Sequence, residues 1–199
     1  MIRLLGTLAL ALALPVTASG VTLVFNADLS GANENPPVPS SGTGTALVSV
    51  DTDAHTISVD LTWSDLTGTT TMAHIHCCVD PPGNVGVATF PGTFPGFPVG
   101  VTSGSYLGDW DLSDPASYTA DFLAASGGTA AGAEAALIAG LEGGRAYVNI
   151  HTSFAGGGEI RGFLVPEPAP GALLASGLAA LALCRLRRAR GREAGRGLA

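Results

Sequence analysis

Residues 45–62, TALVSVDTDAHTISVDLT, decide the fold. Ala46, Val48 and Val50 recur at every second position, Asp51-Thr52-Asp53 supplies a polar turn, and Ile57, Val59 and Leu61 resume the same period. Side chains alternate across a strand, so each half presents one apolar face and the two halves read as half-buried strands. Working outward, further strands are expected at residues 21–29, 71–77, 85–89, 105–111, 146–151 and 159–164. Clusters of Gly, Pro, Asn and Ser separate them, notably residues 33–44 and Pro81-Pro82-Gly83-Asn84. Only residues 130–142 carry a helical stripe (Ala133, Leu137, Leu141), with Thr129 as its cap and Gly143-Gly144 as its stop. Many short strands and one short helix predict a mainly β protein built as a single antiparallel β-sandwich.

The two ends have a different character. Met1-Ile2-Arg3 is followed by an apolar core, Leu4 to Leu14, and by Pro15 and small residues to Gly20. This is the layout of a secretory signal peptide over residues 1–20, a substrate for signal peptidase. At the other end Val165-Pro166-Glu167-Pro168 precedes an apolar run, residues 169–184, and an arginine-rich end, residues 185–199, with Arg185, Arg187, Arg188 and Arg190 at its head. Apolar side chains partition into lipid and arginines resist crossing it, so residues 166–199 are expected to be a transmembrane sorting tail stopped by those arginines. Residues 21–165 remain as one domain, and the membrane is engaged only through the terminal segments.

That body is strongly acidic. It holds Arg145 and Arg161 against fourteen acids, a formal charge of −12. Such a surface repels phosphate backbones, which argues against a nucleic-acid partner. Its only cysteines are the adjacent Cys77 and Cys78. Export favours disulfides, yet neighbouring α-carbons sit closer than disulfides usually require. A vicinal bridge, two free thiols, an intermolecular bridge and a metal pair all stay open. The aromatic stretch Phe90 to Val99, FPGTFPGFPV, reads as hydrophobic anchors under a compact loop, since exposing three rings would leave an unusual apolar patch.

Histidines carry the chemistry. In residues 71–78, Ala73, Ile75 and Cys77 form the core face, so His74, His76 and Cys78 share the opposite one with Met72. In residues 146–151, Val148 and Ile150 point inward, and Tyr147, Asn149 and His151 point outward. A hairpin through residues 152–158 sets His151 across from Glu159, Asn149 across from Arg161 and Tyr147 across from Phe163. Should the first strand lie beside this hairpin, His74, His76 and His151 make a copper or zinc set, with Cys78 a possible fourth ligand. Glu159, Arg161 and Asn149 would form a supporting polar network. The same residues also suit a plain hydrogen-bonded network without metal. His55, in a polar turn, reads as exposed. Neither a Gly-x-Ser-x-Gly elbow nor a Ser/His/Asp spacing is present, which favours a non-enzymatic module.

Three groups of residues carry a family resemblance: Phe25-Asn26-Ala27-Asp28-Leu29 to Pro36-Pro37, Ala73-His74-Ile75-His76, and Ala146 to Thr152 with Gly158-Glu159-Ile160-Arg161-Gly162. Together the body resembles a CHRD (chordin-type) domain from about Val24 to Leu164. Pro166-Glu167-Pro168 resembles a PEP-CTERM sorting motif. The first resemblance implies an immunoglobulin-like or related β fold and no particular activity. The second implies processing by an exosortase and a link to exopolysaccharide. The expected function is an exported cell-surface or extracellular-matrix module, an adhesion or matrix component; the alternative is a copper- or zinc-binding or redox protein.

Overall fold

The computed structural model describes residues 22–167. The expected signal peptide, Pro168, the apolar run 169–184 and Arg185, Arg187, Arg188 and Arg190 lie outside the described residues. Among the described residues no helix is long and apolar enough to cross a membrane.

The alternating stretches form strands. They are β1 (Thr22–Ser30), β2 (Thr43–Asp51), β3 (Thr56–Ser64), β4 (Thr70–Cys77), β5 (Gly104–Asp111), β6 (Ala146–Thr152), β7 (Ile160–Phe163) and the short β8 (Val165–Pro166). All pair antiparallel in one eight-stranded curled sheet of order β4-β6-β7-β1-β2-β3-β5, with β8 beside β1. The opening stretch folds as its period requires: Val48 pairs with Val59, Val50 with Ile57 and Ala46 with Leu61. All six side chains are buried in the single core, which also takes in Ala73, Ile75, Val148 and Ile150 from the other end of the sheet. Asp51 closes the turn, its Oδ1 accepting from the amides of Asp53 (3.0 Å) and Ala54 (2.9 Å).

Three expectations need correction. The fold is sandwich-like, but one continuous sheet replaces a pair of separate sheets, because β7 pairs with β6 and also meets β1 at Ser30–Arg161. Among the described residues two α-helices are present where one was expected: α1 (Ala120–Ala125) precedes α2 (Ala130–Glu142). At six residues, α1 is too short to show a readable stripe. Residues 85–89 make only isolated bridges, His76–Val87 and Thr89–Tyr118. Their segment runs along β4 as an edge cover, with the amides of Ala88, Phe94 and Gly100 donating to the carbonyls of Ile75, Ala73 and Thr70. An open sheet edge invites foreign strands, and this cover blocks one.

The anchor reading of the aromatic stretch agrees with the packing. Phe94 and Phe97 are buried, Phe97 against Trp63 at 5.1 Å and Phe94 stacked on Tyr106 at 5.6 Å. Helix α2 begins where Thr129 Oγ1 accepts from the Gly132 amide at 3.1 Å, a cap worth about 1 kcal/mol. Its Ala133, Leu137 and Leu141 are buried against the core. Cys77 and Cys78 are joined in a vicinal disulfide, and a β-carbon on Gly140 of α2 would collide with both sulfurs.

Candidate metal centre

Strands β4 and β6 set the site. Their register opposes Met72 to His151, His74 to Asn149 and His76 to Tyr147. Directly opposed residues lie on the same face, so these six side chains share one side of the sheet. That side is not a wet surface. Loop segments around Val85, Gly92 and Gly156 close over it, leaving His74 4%, His76 8% and His151 7% exposed. Parity alone could place the rings together but could not foresee the cover.

One ring nitrogen from each histidine lies within 4.8 Å of the others. The remaining nitrogens identify which they are. His74 Nε2 donates to the Gly92 carbonyl at 2.8 Å, His76 Nδ1 to the Val85 carbonyl at 2.8 Å, and His151 Nδ1 to the Gly156 carbonyl at 2.9 Å. A carbonyl only accepts, so each bond fixes the proton on the outer nitrogen and leaves a lone pair on the inner one. His74 Nδ1 and His151 Nε2 then face each other at 3.2 Å. His76 Nε2 is buried with no hydrogen-bond partner.

The electrostatics keep these lone pairs free. Burial pushes the His76 pKa down to about 4, and His74 and His151 are lowered by the same cause. Neutral imidazoles are ready ligands. A tetrahedral ion with bonds of about 2.0–2.1 Å sets its ligands about 3.3 Å apart, which the His74–His151 pair already meets. Locking the outer nitrogen of each ring to a carbonyl is the usual arrangement around metal-bound histidine.

The polar neighbours form two further groups. The hairpin pairs Asn149 with Arg161 and Tyr147 with Phe163 as parity suggests, and Tyr147 lies between His76 on β4 and Phe163 on β7. The Tyr147 ring stacks on His76 at 4.6 Å, and the Arg161 guanidinium sits 4.8 Å from its centroid. Arg161 is buried and donates to the Asn33 carbonyl (2.6 Å), Asn84 Oδ1 (2.6 Å) and the Pro82 carbonyl (2.8 Å). The acid beside it is Glu34, which accepts from Asn149 Nδ2 at 3.0 Å. Burial outweighs the attraction of Arg161 and raises the Glu34 pKa to about 7.

Glu159 works elsewhere. The ladder ends at Ile150–Ile160, and the Glu159 carboxylate accepts from the Thr67 amide (2.6 Å), Gly68 amide (3.0 Å), Ser40 Oγ (2.5 Å) and Thr152 Oγ1 (2.6 Å). Burial by itself raises its pKa, and these bonds overturn that to leave it lowered. Cys78 is also apart from the histidines: it is bonded to Cys77, with its sulfur 3.5 Å from the Ala136 carbonyl in α2. His55 is exposed as expected, and it is paired with Glu134 at 2.9 Å, a bond that raises its pKa. Pro166 pairs with Phe25 on β1, and Glu167 accepts from Asn26 Nδ2 at 3.1 Å.

Sequence reasoning missed Glu34 and the three carbonyls. Glu34 lies in the Gly/Pro/Asn-rich stretch and has no periodic signal; backbone carbonyls have no residue signature at all.

The model of the CHRD domain family matches residues 25–164. No curated protein and no solved structure matches the chain.

Proposed function

The chain belongs to the CHRD domain family, and from that premise we propose that it is an exported module that holds one copper or zinc ion on His74, His76 and His151. One observation carries this reading. Three lone pairs converge in a buried pocket while every opposite nitrogen is held by a carbonyl. A plain hydrogen-bonded network would place a donor between His74 and His151, and both donors are already spent. An ion supplies what the pocket lacks.

The setting of the ion follows from the sequence ends. The signal-peptide layout and the PEP-CTERM-like tail support export, processing by signal peptidase and an exosortase, and residence at the cell surface or in the extracellular matrix beside exopolysaccharide. The module is read as non-enzymatic, a metal-holding adhesion or matrix component.

Elemental analysis of the purified full chain tests the metal. One equivalent of copper or zinc, lost in His76→Phe, supports the reading; a folded wild-type chain that holds neither under saturating metal removes it. Deletion of residues 168–199 tests the setting, since an unchanged location would remove the sorting role.

A further inference from the structure

We propose that this pocket selects monovalent copper, Cu(I), over divalent ions, with the thioether of Met72 as the fourth ligand. The proposal rests on the histidine centre argued above and names its cargo.

Charge is the first argument. The donor set is three neutral imidazoles and contains no carboxylate. The buried acids Glu34 and Glu159 are held by other partners, Glu34 by Asn149 and Glu159 by Ser40, Thr67, Gly68 and Thr152. The fixed cation nearby, Arg161, packs on the Tyr147 ring that stacks on His76. The cost of burying an ion grows with the square of its charge, so a dication without an anionic ligand pays roughly fourfold what a monocation does. A buried neutral pocket beside an arginine therefore weighs against a divalent ion, which needs a hydroxide or another anion in the open position to offset its second charge.

Softness is the second. Met72 stands directly opposite His151 and on the same face as His74 and His76. Opposed β-carbons lie about 4.5–5.5 Å apart, well within the reach of a side chain with three rotatable bonds. Met72 is half-buried at the margin of the pocket, so its thioether can swing over the ion where water would otherwise complete the shell. Thioether sulfur is a soft donor and favours Cu(I). The strand shifts register only between Thr70 and Met72, so Met72 is the last residue of the regular ladder that carries His74 and His76.

The test uses the full chain, kept anaerobic with ascorbate, which spares the disulfide. Cu(I) is titrated against bicinchoninate and Zn(II) against a zinc-binding dye, for wild type and Met72→Leu. Leucine keeps the volume, so the variant is expected to fold, and circular dichroism checks it. We expect one Cu(I) per chain, not displaced by equimolar Zn(II). In Met72→Leu the Cu(I) affinity should fall about 10–100-fold, with Zn(II) affinity changed less than about threefold. Zn(II) displacing Cu(I) overturns the selectivity, and Cu(I) affinity unchanged in Met72→Leu overturns the thioether. Binding of neither ion by the folded wild type sinks the histidine centre itself, a result distinct from both.

Discussion

His74 Nδ1 lies 3.2 Å from His151 Nε2, and the proton of each ring is committed on its far side to the carbonyls of Gly92 and Gly156. Two lone pairs at this distance repel. The folded chain accepts the repulsion because the sheet register and the two carbonyl bonds fix the rings. A double-mutant cycle with His74→Leu and His151→Leu measures it by chemical denaturation. In the metal-free protein the two histidines should show an unfavourable coupling of about 0.5–3 kcal/mol; with copper or zinc bound the sign should reverse. A favourable coupling without metal would mean that a shared proton, and not an ion, belongs between them.

Glu34 and the histidines respond to acid in opposite directions. The Glu34 pKa in the folded chain, about 7, lies above its ordinary 4.5 because burial disfavours its charge. Its contribution is therefore favourable below about 4.5 and is lost as pH rises through about 7. The histidines are lowered, so their contribution is present above about 6.5 and fades as pH falls, for His76 toward about 4. Comparing Glu34→Gln with wild type cancels the histidines. Between pH 4.5 and pH 8 the variant should gain on wild type by roughly 3 kcal/mol. Parallel stability curves across that range would mean that Arg161 compensates the buried charge fully.

Glu159 tests the division of labour on the sheet. Its carboxylate ties together Ser40, the amides of Thr67 and Gly68, and Thr152. Replacing it with Ala leaves two amides and two hydroxyls short of an acceptor, and Glu159→Ala should cost about 3–5 kcal/mol in urea denaturation. Metal stoichiometry of the folded fraction should stay at the wild-type value. Loss of metal at unchanged stability would return Glu159 to the histidine centre.

How much of this was legible follows from which forces leave a trace in one strand. Val48, Val50, Ile57 and Val59 state their pairing because period two and burial coincide, and residues 130–142 state a helix because cap, stripe and stop all agree. The face shared by His74, His76 and His151 follows from parity once β4 and β6 are neighbours, and nothing within either strand says that they are. Burial of that face depends on Val85, Gly92 and Gly156, whose contribution is a carbonyl, identical in every residue type. The continuous sheet was equally hidden, since it turns on the contact of Ser30 with Arg161, 131 positions apart in the chain.

Helix α2 was readable as a segment, whereas the bridge between Cys77 and Cys78 was one of four states the sequence allowed; the contact between the two was not legible, and it yields the last prediction. Gly140 lies on the face of α2 that meets Cys77 and Cys78, where any β-carbon would strike both sulfurs. Glycine is a poor helix former, and Gly→Ala at an open helical position gains up to about 1 kcal/mol. Here packing decides against propensity: Gly140→Ala should destabilise by about 1–3 kcal/mol, because neither the bridged sulfurs nor the helix backbone can yield cheaply. Removing the obstacle should reverse the sign. In a Cys77→Ala/Cys78→Ala background the space opens, and Gly140→Ala should become neutral or stabilising in thermal denaturation. The same cost in both backgrounds would show that something other than the sulfurs excludes the methyl group.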